Sequence, residues 1–297
     1  MTSSGADSQS SSSVEDVCPV CGERTRVFLG GGAGRPLVRC LNCGLVRRAS
    51  GLTADAETNF FRGVYYATSD ESDDRQREEF APWRKRQLAR IARRIAVRCH
   101  PADVLDIGCA DGELLYQLGL LGPIRGAGIE PDPVVAARAE GRLGFPVQPS
   151  TFETAVLSAQ AFDVVCLLGV LMYFPSPRTA LERIAQLLKP GGVLVIELPA
   201  PDYALLRFGG VPQFLLKRGP LRPPPHHLFV FEWPPLVRLL DMTGFEVVDV
   251  GMEQGPSFGP LSRTREIVYC RLANAISSLS KRRILLGRRM VVWALLR

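Results

Sequence analysis

Four of the eight cysteines fall in two pairs, Cys18-Pro-Val-Cys21 and Cys40-Leu-Asn-Cys43, with 18 residues between them. Two C-x-x-C pairs at that separation have the spacing of a zinc site rather than of a disulfide framework. Glycine follows each pair (Gly22, Gly44), so the backbone can turn back and face its amides to the sulfurs. Four thiolates (Cys18, Cys21, Cys40 and Cys43) suit a closed tetrahedral Zn2+ with no open position for substrate water, which makes the expected role structural. The segment 17–50 is also too short, at about 35 residues, to fold without such a staple. The competing readings are two unrelated C-x-x-C pairs or a redox pair. Cys99, Cys109, Cys166 and Cys270 are scattered and read as apolar fillers.

A second constellation is Asp106-Ile-Gly-Cys-Ala-Asp-Gly112. Its spacing is G-x-x-x-G, not the G-x-G-x-x-G of dinucleotide loops, and a carboxylate stands before each glycine. A pyrophosphate wants backbone amides and a helix dipole away from anions. A ligand carrying an ammonium and a sulfonium tolerates or needs carboxylates. Glu130 follows 24 residues after Asp106, where an acid can accept from both ribose hydroxyls. Taken alone, Glu130 is an ordinary strand-end acid; the loop and the acid together point to a cationic ligand with a ribose.

These residues need elements to place them, and from residue 103 strand and helix alternate. Strands are predicted over 104–107, 126–130, 162–168, 193–198, 245–250 and 289–296, and helices over 113–121, 133–140, 178–188 and 233–243. Such alternation predicts a doubly wound α/β sheet, whose ligands bind beyond the carboxyl ends of the strands. Upstream, Trp83, Leu88, Ile91 and Ile95 form one stripe of a basic amphipathic helix over 75–97. Its arginines read as a solvated outer face, with phosphate binding as the alternative. The organisation that follows is a disordered tail (1–16), a ribbon (17–50), a polar connector (51–80) and one catalytic domain (81–297).

The chain has 297 residues, 46% of them hydrophobic and 22% charged, which fits a globular protein and excludes a mostly disordered one. Its net charge of +6 invites a nucleic-acid reading. The charge is unevenly placed, however. Residues 263–297 hold nine basic side chains against Glu266, and residues 1–262 hold 27 against 29 acids. The body is therefore slightly acidic, and the basic segment 263–288 reads as a local patch for membrane lipid or a phosphorylated carrier. No basic and apolar leader is visible at the N-terminus, and the longest apolar run, 164–174, is far short of the roughly 20 residues that span a bilayer. A cytoplasmic location is the expectation.

The text VLDIGCADG (104–112), GIEPDP (128–133), FDVVCLLGVLMYFPSP (162–177) and LLKPGGVLVIELP (187–199) resembles the class I S-adenosylmethionine-dependent methyltransferases. The resemblance implies a seven-stranded Rossmann-like sheet whose last strand inserts antiparallel after a helical stretch over 265–286. It also implies that Asp106, Gly108, Cys109 and Gly112 surround the methionine moiety and that Glu130 holds the ribose. Pro131 or Asp132 and Phe152 would flank adenine, and Leu168 and Gly169 would contribute backbone. The segment Pro149-Ser-Thr-Phe-Glu153 departs from the family's usual acid-bearing turn.

With its ribbon, a connector bearing Tyr65-Tyr66, and His226-His227-Leu228-Phe229-Val230-Phe231, the chain is similar to sugar C-methyltransferases and related glycan and natural-product enzymes. It departs from them where His226-His227 replaces Glu-His and where Tyr173 stands in place of a histidine. The resemblance implies methylation of a small-molecule, sugar or glycan acceptor at oxygen or carbon; the basic residues of 201–225 suit an acceptor borne on a phosphorylated carrier. Such an acceptor must lose a proton, and histidine has a suitable pKa for that task. Of three histidines, His100 reads as a surface residue, while His226 and His227 follow three prolines that stiffen their approach. The expected base is His227, with His226, Tyr173 and Tyr66 lining the acceptor pocket; the alternative is that the pair braces a loop. The insertion 201–225 suits either a lid or a plain surface loop.

Two other functions stay open. A zinc-ribbon RNA methyltransferase would use the basic residues, but the chain lacks the Asn-Pro-Pro-Tyr type loop that grips a base amine, and its ribbon lacks interleaved aromatics. A non-catalytic methyltransferase-like partner would not need Asp106, Gly108, Gly112 and Glu130 intact.

Overall fold

The structure is a computed structural model that describes residues 17–29, 36–49, 74–199, 227–253, 262–282, 285 and 289–297. The tail 1–16, residues 51–73 of the connector with Tyr66, and the insertion 201–225 with the adjoining His226 lie outside the described residues.

Eleven described strands form two sheets. The larger contains β4 (Asp103–Ile107), β5 (Arg125–Ile129), β6 (Val147–Gln148), β7 (Phe162–Leu168), β8 (Leu188–Pro199), β10 (Phe245–Glu253) and β11 (Arg289–Leu296), in the order β10-β11-β8-β7-β4-β5-β6. The five strands β4 to β8 pair in parallel, and β11 runs antiparallel between β8 and β10. This is the doubly wound sheet that the alternation predicts, with the seven strands that the resemblance implies. The two-residue β6 carries too little periodicity to be read from the sequence.

Six described helices flank the strands: α1 (Asp74–Cys99), α2 (Glu113–Gly119), α3 (Pro133–Leu143), α4 (Pro177–Leu187), α5 (Trp233–Met242) and α6 (Ser262–Leu279). Asp132 starts α3 by accepting from the amides of Val134 and Val135, and Ser176 starts α4 by accepting from Thr179. On one sheet face, Leu88, Ile91 and Ile95 of α1 pack with Leu114, Leu115 and Leu118 of α2 against Val104, Val164, Cys166 and Val195. The expected stripe on α1 is therefore buried. Arg86 and Arg93 are exposed as a solvated face requires, while Arg84, Arg90, Arg94 and Arg98 pair with Glu197, Glu253 and Asp249, and Arg94 and Arg98 lie over the Trp293 ring. α6 ends at Leu279, short of the 286 expected, with Lys281 and Arg282 in left-handed turns just beyond it.

The smaller sheet is antiparallel, in the order β1 (Thr25–Leu29), β2 (Leu37–Cys40), β3 (Val46–Arg48) and β9 (Phe229–Val230). Three strands come from the cysteine-rich segment. The fourth comes from the catalytic half, nearly 200 residues away, so the ribbon sheet does not close within 17–50. Cys18, Val20, Cys40, Cys43 and Leu45 accordingly share one continuous core with α4, α5 and the other face of the large sheet. Among the described residues, no helix is long and apolar enough to cross a membrane.

Candidate active site and metal centre

β4 ends at Ile107, and the chain turns sharply to enter α2. Gly108 makes the turn at φ +71°, and a Cβ there would meet Val170 at 2.6 Å, so no other residue fits without displacement. The amides of Gly108 and Cys109 both donate to the Ile129 carbonyl, at 2.8 and 3.0 Å, which ties the loop to the end of β5. Gly128 lets this happen, since a Cβ there would lie 2.7 Å from Cys109 Sγ. Glu130, next after β5, accepts from the Ala110 amide on Oε2 (3.1 Å) and from the Asp132 amide on Oε1 (3.0 Å). Each carboxylate oxygen has further lone pairs, so these bonds orient Glu130 and leave it able to accept from hydroxyls.

Asp106 is buried on the α1 face of β4. Burial pushes its carboxyl up to about 7, opposed by Arg84 and reinforced by Glu130 and Asp111. A cationic ligand would reverse that push. Beside it, at the ends of β7 and β8, lies a polar cluster that sequence reasoning missed. Glu197, fully buried, receives Arg84 Nη1 on one oxygen and Arg289 Nη1 on the other, each at 2.6 Å, with Gln87 Nε2 at 3.2 Å. Burial alone would raise this carboxyl, but the two guanidiniums outweigh it and hold the group at about 2. Arg84 Nη2 also donates to the Leu168 carbonyl at 3.0 Å. The cluster's one visible trace is an acid inside the otherwise apolar run VLVIELP.

The expected cofactor residues thus converge on one edge of the sheet, with different local duties. Gly112, at φ +75°, stands at the start of α2 against Leu143. Leu168 and Gly169 end β7, and the Gly169 amide donates to the Glu197 carbonyl. Pro131 is half-buried beside Asp132, whose carboxylate is taken up by the α3 amides. Phe152 is packed rather than open: Arg183 stacks 4.5 Å from its ring centre, and Phe174 lies 5.7 Å away.

On the acceptor side, Tyr173 closes a single 3-10 turn (Leu171–Tyr173) that follows β7. Its hydroxyl lies 3.4 Å from His227 Nε2, and the two rings meet edge-on at 5.4 Å. His100 is an exposed residue at the end of α1, remote from this pair in the fold.

The four ribbon cysteines gather so that all their sulfurs lie within 4.8 Å of one another. Cys18 and Cys43 are 3.6 Å apart and Cys21 and Cys40 are 3.4 Å apart. A tetrahedron with Zn–S bonds of about 2.3 Å has edges of about 3.8 Å, so the donor set fits that ion. Gly22 and Gly44 both take positive φ and turn the backbone back, with their amides on the Cys18 and Cys40 carbonyls rather than on the sulfurs. The Cys43 amide also points at Cys40 Sγ. The ribbon is bolted to the catalytic half by Arg39, bidentate to Glu232 at 2.7 Å, and by Arg178 on the Val20 carbonyl.

Residues 74–250 match the family described as a methyltransferase domain. An O-methyltransferase of Penicillium expansum is 30% identical over 182 residues, which cover 54% of this chain and 59% of that protein. A ubiquinone biosynthesis O-methyltransferase of Cronobacter sakazakii is 35% identical over 95 residues, 30% of this chain and 39% of the relative. The chain thus spans only about two-fifths to three-fifths of the length of these curated relatives. Among solved structures, a magnesium protoporphyrin IX methyltransferase from Synechocystis, with bound S-adenosylhomocysteine, shares the fold with a TM-score of 0.56 at 13% identity, over 82% of this chain and all of that one. A 1,6-didemethyltoxoflavin-N1-methyltransferase from Burkholderia thailandensis does so at 0.53 and 19%, over 88% and 95%. With the family match spanning more than half its length, the chain belongs to the methyltransferase-domain family and carries the class I fold of S-adenosylmethionine-dependent methyltransferases.

Proposed function

We propose that this chain transfers a methyl group from S-adenosylmethionine to a small-molecule, sugar or glycan acceptor, with His227 as the general base. The observation that carries this reading is the Tyr173–His227 pair, with 3.4 Å between Oη and Nε2, on a turn that leaves the same strand end as Leu168 and Gly169. When bound, the cofactor supplies an electrophilic methyl group on a sulfonium. Asp106 offers a buried carboxylate to its positive charge, and Glu130 offers acceptor lone pairs to its ribose. Gly108 and Gly128 let Val170 and Cys109 pack against the backbone beside these carboxylates. His227 takes the acceptor's proton on its imidazole ring, and Tyr173, against its Nε2, lines the acceptor pocket. His226 and Tyr66 belong to the same pocket in this reading. The names of the two curated relatives favour oxygen as the methylated atom.

Zn2+ held by Cys18, Cys21, Cys40 and Cys43 is structural in this proposal, because four thiolates fill its coordination shell. Nucleic acid is disfavoured as the acceptor because three of the ribbon's basic side chains are already committed. Arg39 is paired with Glu232, and Arg47 and Arg48 are buried with backbone carbonyls as partners. The basic segment 263–288 is assigned to a peripheral role, contact with an anionic lipid surface or a phosphorylated carrier, and the protein to the cytoplasm.

The test is a methyl-transfer screen of nucleotide sugars, glycans and phenolic small molecules with labelled cofactor, with RNA as control. Turnover of a small molecule or glycan and not RNA is expected. His227→Ala should keep S-adenosylhomocysteine affinity and lose about 100-fold or more in kcat; full turnover by that variant would remove the base role.

A further inference from the structure

Arg48 ends β3 of the ribbon, and only 7% of it is exposed. Its guanidinium reaches across to the segment that carries His227. Nε donates to the main-chain carbonyl of His227 at 3.0 Å, while the Arg48 amide donates to the carbonyl of Leu228 at 2.9 Å. From the other side, the Leu228 amide donates to the Met172 carbonyl at 3.0 Å, inside the turn that carries Tyr173. Residues 227–230 are thus held between the ribbon edge and that turn.

The strand so held, β9, is only two residues long and, among the described residues, pairs only with β3, through Val46↔Val230 and Arg47↔Phe229. A strand this short has little register of its own, and a one-residue slip would turn every side chain to the opposite face. Leu228 and Phe229 are buried, and Phe229 stacks with Phe231 at 5.8 Å. His227 can meet Tyr173 only while that register holds. The hold leads back to the cysteines, because Arg47 Nη1 donates to the Arg48 carbonyl at 2.8 Å and its Nη2 to the carbonyl of Val17, the residue before Cys18, at 3.1 Å.

We infer that Arg48 is a positioning residue for His227, and that the ribbon acts as the template that sets the acceptor-side histidine against Tyr173. The inference rests on the reading of His227 as the base for its functional meaning. Where the imidazole stands can be measured without that reading.

The experiment uses the full chain saturated with S-adenosylhomocysteine and labelled with 15N-histidine. Three histidines give three ring spin systems, assigned with His100→Gln and His226→Gln. In the parent protein, Tyr173 should hold the His227 ring in one tautomer. In Arg48→Ala, the two His227 nitrogen shifts should move toward each other as tautomers average, and its titration midpoint should move by about 0.5 pH unit or more. His100 should stay fixed, and S-adenosylhomocysteine affinity should stay within about twofold, which is under 0.5 kcal/mol. Arg48→Lys keeps the charge but not the Nε donor and should show the same change in smaller measure; it decides the matter if Arg48→Ala does not fold. Superimposable His227 signals in a folded variant would overturn the inference, and so would a general shift of all histidines with loss of ligand affinity. Full turnover by His227→Ala, with the His227 shifts still displaced in Arg48→Ala, would remove the base role and leave the positioning role standing.

Discussion

Arg84 spans the two strand ends that meet at the cleft: one amino group lies 2.6 Å from Glu197 Oε2, and the other donates to the Leu168 carbonyl at 3.0 Å. Neither residue stands out in the sequence, since one is an arginine among many on a basic helix and the other an acid in an apolar strand. Together with Arg289, they make a fully buried carboxylate tolerable, because charge pairing compensates for lost hydration.

Removing Arg84 should therefore cost stability. Arg84→Ala leaves Glu197 with Arg289 as its remaining charged partner beside Gln87, and a loss of about 3 kcal/mol is expected, the lower end of the range for breaking a buried pair. Urea unfolding at pH 7 reads it, and Glu197→Gln should be less damaging than Arg84→Ala. The Glu197 carboxyl is held at about 2, below its unfolded value, so its contribution is fully present above the ordinary carboxylate range and is lost as pH falls toward 2. Equal stability of Arg84→Ala and the parent protein would show that the pair does not hold the strand ends together.

Asp106 has the opposite sign. Its folded carboxyl is raised to about 7, so the folded chain keeps a proton that the unfolded chain has released, and this group's contribution to stability falls as pH rises from about 4 to 7. A cationic cofactor binds the ionised form. S-adenosylmethionine affinity should then fall as pH drops below 7, by up to about tenfold between pH 8 and 6. Calorimetry across that range checks it, and Asp106→Asn should flatten the profile. Because Arg84 pulls this carboxyl down, Arg84→Ala should move the midpoint upward. A flat profile in the parent protein would exclude Asp106 as the titrating group.

The cysteine cluster predicts one zinc per chain by elemental analysis. Cys43→Ser should lose most of that metal and, because Cys43 lies in the same core as Leu236 and Phe229, should lower the melting temperature of the whole protein. A parent protein expressed in zinc-supplemented medium yet carrying under about a tenth of an ion per chain would overturn the metal assignment.

The alternation of apolar strands and amphipathic helices was legible from residues 104–250, because period and turn chemistry are local properties. The glycine loop and Glu130 were legible for the same reason: each stands at a strand end. The short strands β6 and β9 were not, since two residues carry no period. The inward turn of Arg84 was hidden because a helix of alternating arginines looks alike on every face until its partner strand is in place.

By itself, the sequence determined the family, the doubly wound sheet, and the residue types at the cofactor edge and the cysteine knuckles, all of which depend on spacings within a few dozen residues. The tertiary structure alone decided that β9 completes the ribbon sheet and that Arg48 grips His227 across 179 positions. It also decided that Arg84 and Arg289 close on Glu197. Those contacts form between distant segments, and hydrogen-bond direction and burial select them only once the chain is packed.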